Sequence, residues 1–104
     1  MAVVFVTVAP LGTATTSLSA YVAGVERVLR ASRLRHQLTA MGTIIEGDLD
    51  RILEVVRRMH EQPFGQGALR VSTSIKIDDR RDKVGTIAAK VRSVERKLGK
   101  RTKA

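Results

Sequence analysis

Two histidines, a compact run of charges and one isolated carboxylate are the side chains of this 104-residue chain best equipped for chemistry. His36 and His60 stand 24 positions apart, and nothing near either is spaced like a metal-ligand partner. Each is expected to be a surface or capped histidine. The run Asp78-Asp79-Arg80-Arg81-Asp82-Lys83 could hold a phosphate or a metal. It reads more simply as a self-neutralising turn, its acids favouring a helix N-terminus and its arginines pairing with them. Glu46 closes an otherwise apolar strand, so its carboxylate is either exposed at the strand end or held in a polar pocket for a ligand. No Walker loop, GxGxxG, HExxH or GxSxG is present. With no cysteine, disulfides, thiolate catalysis and Cys-based zinc sites are excluded.

These side chains need a scaffold, and the hydrophobic patterning supplies one. Ala2 to Ala9 is rich in β-branched residues and apolar on both alternating faces, Val4, Val6 and Val8 on one and Val3, Phe5 and Ala9 on the other. That pattern predicts a central strand covered on both sides. After a Pro10-Leu-Gly12 turn, Ser17 is a candidate N-cap. The helix behind it would bury Leu18, Tyr21, Val22, Val25, Val28 and Leu29 and turn Glu26, Arg27 and Arg30 outward. Leu34 to Met41 alternates as a strand, and Gly42 permits a tight reversal into Thr43 to Glu46. Asp48 is expected to cap a helix buried through Leu49, Ile52, Leu53, Val56 and Met59, ending before Pro63. A strand from Leu69 to Ile77 follows. A last helix is expected from about Arg81 to Leu98, buried through Val84, Ile87, Ala88, Val91 and Val94, with residues 99–104 a frayed basic tail.

Strand, helix, strand, strand, helix, strand is the α+β, ferredoxin-like βαββαβ order, here as a single domain over residues 1–98 with an additional C-terminal helix. The strands from Leu34 and Leu69 belong at the sheet edges. Two helices cover only one face of such a sheet, so the two-sided first strand needs a further partner. The last helix could cover some of the open face, and a second subunit would cover it more fully.

Composition narrows the functional classes. Hydrophobic residues make up 43% of the chain, enough to fold, while aromatics are 3%, so the core must be aliphatic. The net charge of +9 is unevenly spread. Residues 1–79 carry 9 Lys/Arg and 8 Asp/Glu; residues 80–104 carry 10 Lys/Arg against Asp82 and Glu95. The basic end could bind a polyanion or simply form a solubilising face, and no basic–aromatic interleaving suited to stacking bases accompanies it. The first 25 residues are uncharged, but Pro10, Gly12 and the Thr/Ser run break any signal-peptide core or membrane span. A soluble cytoplasmic protein without membrane partner or cofactor is the expectation.

Several blocks together resemble one known family. These are Pro10-Leu-Gly-Thr13, Ser17, Ser19, Tyr21-Val-Ala23, Met41-Gly-Thr43, Ile45-Glu-Gly-Asp48, Met59-His-Glu61 with Phe64, Arg70-Val71 and Ile75 to Lys83. From about Val3 to Leu98 the chain is similar to the small thiamine-binding-protein family of bacteria, archaea and yeast. It departs from the usual pattern at Ala14-Thr-Thr16 and in its basic tail. The resemblance implies a ferredoxin-like subunit assembled by sheet packing into homodimers and homotetramers. It also implies binding of thiamine or its hydroxymethylpyrimidine moiety, with no known reaction.

An aminopyrimidine offers ring-nitrogen acceptors and an amino donor, which a carboxylate and hydroxyls satisfy in an apolar pocket. Position and chemistry nominate Glu46 for the amino group or a protonated ring nitrogen. Ser17, Thr39 and Thr43 are nominated for further hydrogen bonds, and Met41 and Phe64 for covering the ring. Each of these five has a plainer role available: Ser17 as cap, the threonines as strand formers, Met41 and Phe64 as packing. Non-catalytic binding of thiamine is the leading expectation. The alternatives are a polyanion or nucleic-acid binder working through residues 80–104, and an enzyme using Glu46 or the Asp78–Arg81 cluster.

Overall fold

A computed structural model describes residues 1–13, 18–82 and 86–102, with the side chains of 100–102 left aside. Its elements are β1 (Ala2–Pro10), α1 (Ser19–Ser32), β2 (Arg35–Leu38), β3 (Thr43–Gly47), α2 (Leu49–Gly65), β4 (Val71–Asp79) and α3 (Ile87–Thr102). The four strands form one antiparallel sheet in the order β2-β3-β1-β4. This is the ferredoxin-like arrangement, with β2 and β4 at the edges.

Register sorts the side chains onto two faces. Val4 lies opposite Ile45 and Ile77, and Val6 opposite Thr43 and Ile75, so Ala2, Val4, Val6 and Ile45 share the face covered by α1 and α2. There they meet Val25 and Leu29 of α1 and Ile52, Val55, Val56 and Met59 of α2 in a core without a buried aromatic ring. Val3, Phe5, Ile44 and Glu46 lie on the opposite face. Gly42 admits the β2–β3 turn against β1: a Cβ there would stand 2.6 Å from Phe5 Cζ and 2.9 Å from the Val6 carbonyl oxygen. Any side chain at this position would push the turn off the sheet.

Several boundaries differ from the sequence pattern, each for a physical reason. β2 stops at Leu38 because the Thr39 hydroxyl closes a turn, donating to the Gly42 carbonyl at 2.8 Å and accepting from the Gly42 N–H at 3.1 Å. α1 begins at Ser19 with Leu18 in the cap position and no side-chain cap; Ser17 lies outside the described residues. Asp48 caps α2 as expected, accepting the Arg51 N–H at 3.3 Å. α2 nevertheless continues through Pro63 to Gly65. The proline ring is fully buried, and the Pro63 carbonyl accepts the Gln66 and Ala68 N–H groups, which recovers backbone bonding as the helix ends. β4 starts at Val71, leaving Leu69 exposed, and Ile75 and Ile77 on this edge strand are half-exposed.

The largest departure is α3. It starts at Ile87 rather than near Arg81 and stays helical through Thr102, where a frayed tail was expected from Gly99. Val91 and Val94 are half-exposed with Leu98, contrary to their expected burial; Val84 lies outside the described residues. Its first turns meet the sheet at Glu46 and Asp78. The radius of gyration is 16.1 Å, against about 13 Å for a compact chain of this length.

Candidate functional site

The β2–β3 turn, the first half of α1 and the C-terminal half of β1 line a cavity of about 340 Å³. Val6, Val8, Val22, Val25 and Met59 give it apolar walls, and Leu38 and Met41 stand at its rim, Met41 with 80% of its surface exposed. Among the described residues no Lys or Arg lines it, and its one charged group is Glu26.

Glu26 is 9% exposed. In α1 it holds the i+4 position of a stripe formed by Val22, Val25 and Leu29, so the helix carries it inward rather than outward as its charge suggested. A buried carboxylate demands donors. One is the Thr43 hydroxyl, which donates to Glu26 Oε1 at 3.0 Å. The other carboxylate oxygen, Oε2, stands 3.8 Å from His36 Nε2 and accepts no hydrogen bond among the described residues.

Of the residues nominated from sequence, Thr39, Met41 and Thr43 come together at this cavity. Their roles differ from those expected. Thr39 Oγ1 is committed to the turn, and Thr43 Oγ1 positions Glu26. Met41, solvent-exposed at the rim, remains available to cover a ring. Ser17 lies outside the described residues. Phe64 is not among the cavity's lining; it sits late in α2, with its ring edge-on to His60 at 5.6 Å between centroids.

Glu46 is placed elsewhere. It is buried on the opposite sheet face, where Oε2 accepts the Ile87 N–H at 2.6 Å and Oε1 lies 3.8 Å from Arg35 Nη1. A carboxylate at the first N–H of a helix satisfies an orphan donor and complements the helix dipole. Glu46 therefore docks α3 on β3. Lys90 docks the same helix on β4 by donating to Asp78 at 2.5 Å, and this hydrogen bond, with the lysine's charge, holds the Asp78 carboxyl below the usual range.

The remaining charge cluster neutralises itself as the sequence suggested. Arg80 donates to Asp82 and Arg81 to Asp79. α3 begins at Ile87, further along the chain than these acids suggested. His60 Nδ1 lies 2.7 Å from Thr73 Oγ1, which ties α2 to β4. No group of three or more His, Cys, Asp or Glu among the described residues is arranged to hold a metal ion. No helix there is long and apolar enough to cross a membrane.

Comparison with known proteins agrees with this architecture. A family model described as thiamine-binding protein matches residues 4–95, from β1 into α3. An uncharacterised Bacillus subtilis protein is 46% identical over 102 residues, covering 94% of this chain and 98% of that one. A relative from Methanothermobacter thermautotrophicus is 45% identical over 93 residues, or 88% and 94% of the two chains. Among solved structures, a hypothetical protein of Methanocaldococcus jannaschii superposes with a TM-score of 0.83 at 37% identity, over 90% of this chain and 95% of that one. A Thermotoga maritima protein described as a candidate thiamine biosynthesis/salvage protein shares the fold, with a TM-score of 0.75 at 19% identity over 89% and 97%. With a family match across nearly the whole fold and relatives this similar over almost their full lengths, the chain belongs to the thiamine-binding protein family.

Proposed function

We propose that the protein binds thiamine or its hydroxymethylpyrimidine moiety, without catalysing a reaction on it, in the cavity at Glu26. The observation that carries this reading is a buried carboxylate in the lining of a mostly apolar cavity. An aminopyrimidine supplies what Glu26 Oε2 lacks, an N–H donor on a flat ring that apolar walls can hold. The thiazolium of thiamine adds a positive charge to an enclosure whose one charge is negative. The absence of Lys or Arg from the described lining favours the unphosphorylated forms, because a phosphate would be desolvated there without a counter-charge. The family's description supports the same ligand.

Self-association belongs to the same proposal. It is supported by the half-exposed Val91, Val94 and Leu98 of α3 and by the apolar residues Val3, Phe5 and Ile44 on the face opposite α1 and α2.

A thermal-shift screen across thiamine, its phosphates and its two halves tests the ligand. A ligand at 100 times its Kd stabilises the native state by about 2.7 kcal/mol, which raises Tm by roughly 10 °C or more in a domain of this size. Thiamine and the pyrimidine half are expected to give such shifts and the phosphates much smaller ones. No shift with any of them would remove the proposal.

A further inference from the structure

We infer that His36, on taking up a proton, pairs with Glu26 and weakens the hold of that carboxylate on a ligand, so that acidification lowers the site's affinity. The inference rests on the reading of the Glu26 cavity as the binding site and adds a regulator to it. Three distances carry it. His36 Nδ1 lies 2.9 Å from the Leu34 carbonyl oxygen. A carbonyl only accepts, so Nδ1 carries the hydrogen and the neutral ring presents a bare acceptor at Nε2. That nitrogen stands 3.8 Å from Glu26 Oε2. Thr43 donates to Oε1 at 3.0 Å, and Oε2, the oxygen nearest His36, has no donor among the described residues.

In the neutral state two acceptors face each other, and the carboxylate keeps its full negative charge for a ligand in the cavity that Glu26 lines. A proton on Nε2 turns the facing acceptors into an ion pair. The carboxylate is then neutralised from behind, and a cationic ligand meets a second positive charge. Few other charges intervene. On β3 the residue opposite His36 is Ile45, and its helix-side neighbour Thr43 is also without charge. Arg33, Arg35 and Glu46 share a cleft with His36 next to α3, where Glu46 is engaged by the Ile87 N–H and lies near Arg35. Glu26 is the acid that α1 brings to the ring.

The test is calorimetric titration of the full chain with thiamine at about pH 8 and about pH 5.5, spanning the range in which imidazoles change charge. Wild type is compared with His36→Gln, and with His36→Asn should glutamine perturb the edge strand. The ratio of the two proteins' affinity losses is read, which cancels the ligand's own titration. Wild type is expected to lose about tenfold in affinity on acidification, and the uncharged variants less than about twofold beyond the ligand's own change. Equal losses in wild type and variants would overturn the role of His36 while leaving thiamine binding intact. No binding by wild type at either pH would overturn the thiamine reading and this inference with it.

Discussion

Glu26→Gln is expected to weaken thiamine binding by about ten- to a hundredfold while leaving the protein folded. A hydrogen bond to a charged group contributes ~1.5–3 kcal/mol, and each 1.4 kcal/mol or so is a factor of about ten in affinity. The amide keeps the size of the side chain and an oxygen that can still accept from Thr43 Oγ1, so the local packing survives. Removing a carboxylate that is 9% exposed also relieves part of its desolvation, so the stability should change little. Titration and a melting curve on the one variant separate affinity from stability. Glu46→Gln is the matched control. Its carboxylate bonds the Ile87 N–H on the other sheet face, so the variant should loosen α3 and bind thiamine as wild type does. If Glu46→Gln loses affinity and Glu26→Gln keeps it, the ligand sits in the cleft beneath α3 and the assignment fails.

The second large effect is on stability. Ile45→Ala is expected to cost about 2–5 kcal/mol, the range for truncating a large aliphatic side chain in a packed core. Ile45 is 0% exposed, lies opposite Val4 on β1 and belongs to one buried cluster with Leu29 of α1 and Ile52 of α2. The core contains no aromatic ring, and its small branched side chains are held in place by the sheet register, so little can move in to refill the space. Chemical denaturation should show an unchanged m-value and a lower midpoint. Native domains are stable by about 5–15 kcal/mol, so such a loss takes a large share of the total. Leu53→Ala, on the partly exposed side of α2, should cost well under half as much. Equal effects at the two positions would mean that the helices do not pack on the sheet through Ile45.

The fold was largely legible because its signals are local. Two-sided β-branched runs marked β1, Gly42 marked the reversal, and Asp48 marked the start of α2. The edge positions of β2 and β4 followed from the order of elements alone. The site was legible only in part. Thr39, Met41 and Thr43, nominated together, do line one cavity, because they cluster at one turn. Glu26 was expected to face outward because charge was weighed above spacing, and it is buried. Its place in the series Val22, Val25, Glu26, Leu29 is that of a buried residue, and that periodicity was the available signal. Glu46 was recognised as unusual, yet its role depends on the Ile87 N–H, 41 positions away in sequence, and no local pattern encodes such a contact. The exposure of Val91 and Val94 was hidden for a related reason. An amphipathic stripe reports that a helix has an apolar face and not whether its own subunit covers it.

The most direct test of the Glu26 cavity as the thiamine site uses the chain's three methionines, Met1, Met41 and Met59. Met41 stands at the cavity rim and Met59 is buried among its walls. Met1 lies in a different cleft, with Asp48, Asp79 and Arg81. With methyl-labelled methionine, titration with thiamine followed by NMR should move the Met41 and Met59 methyl signals together, saturating with occupancy, while Met1 stays fixed. Saturable binding that moves Met1 and leaves Met41 and Met59 unchanged would contradict the assignment.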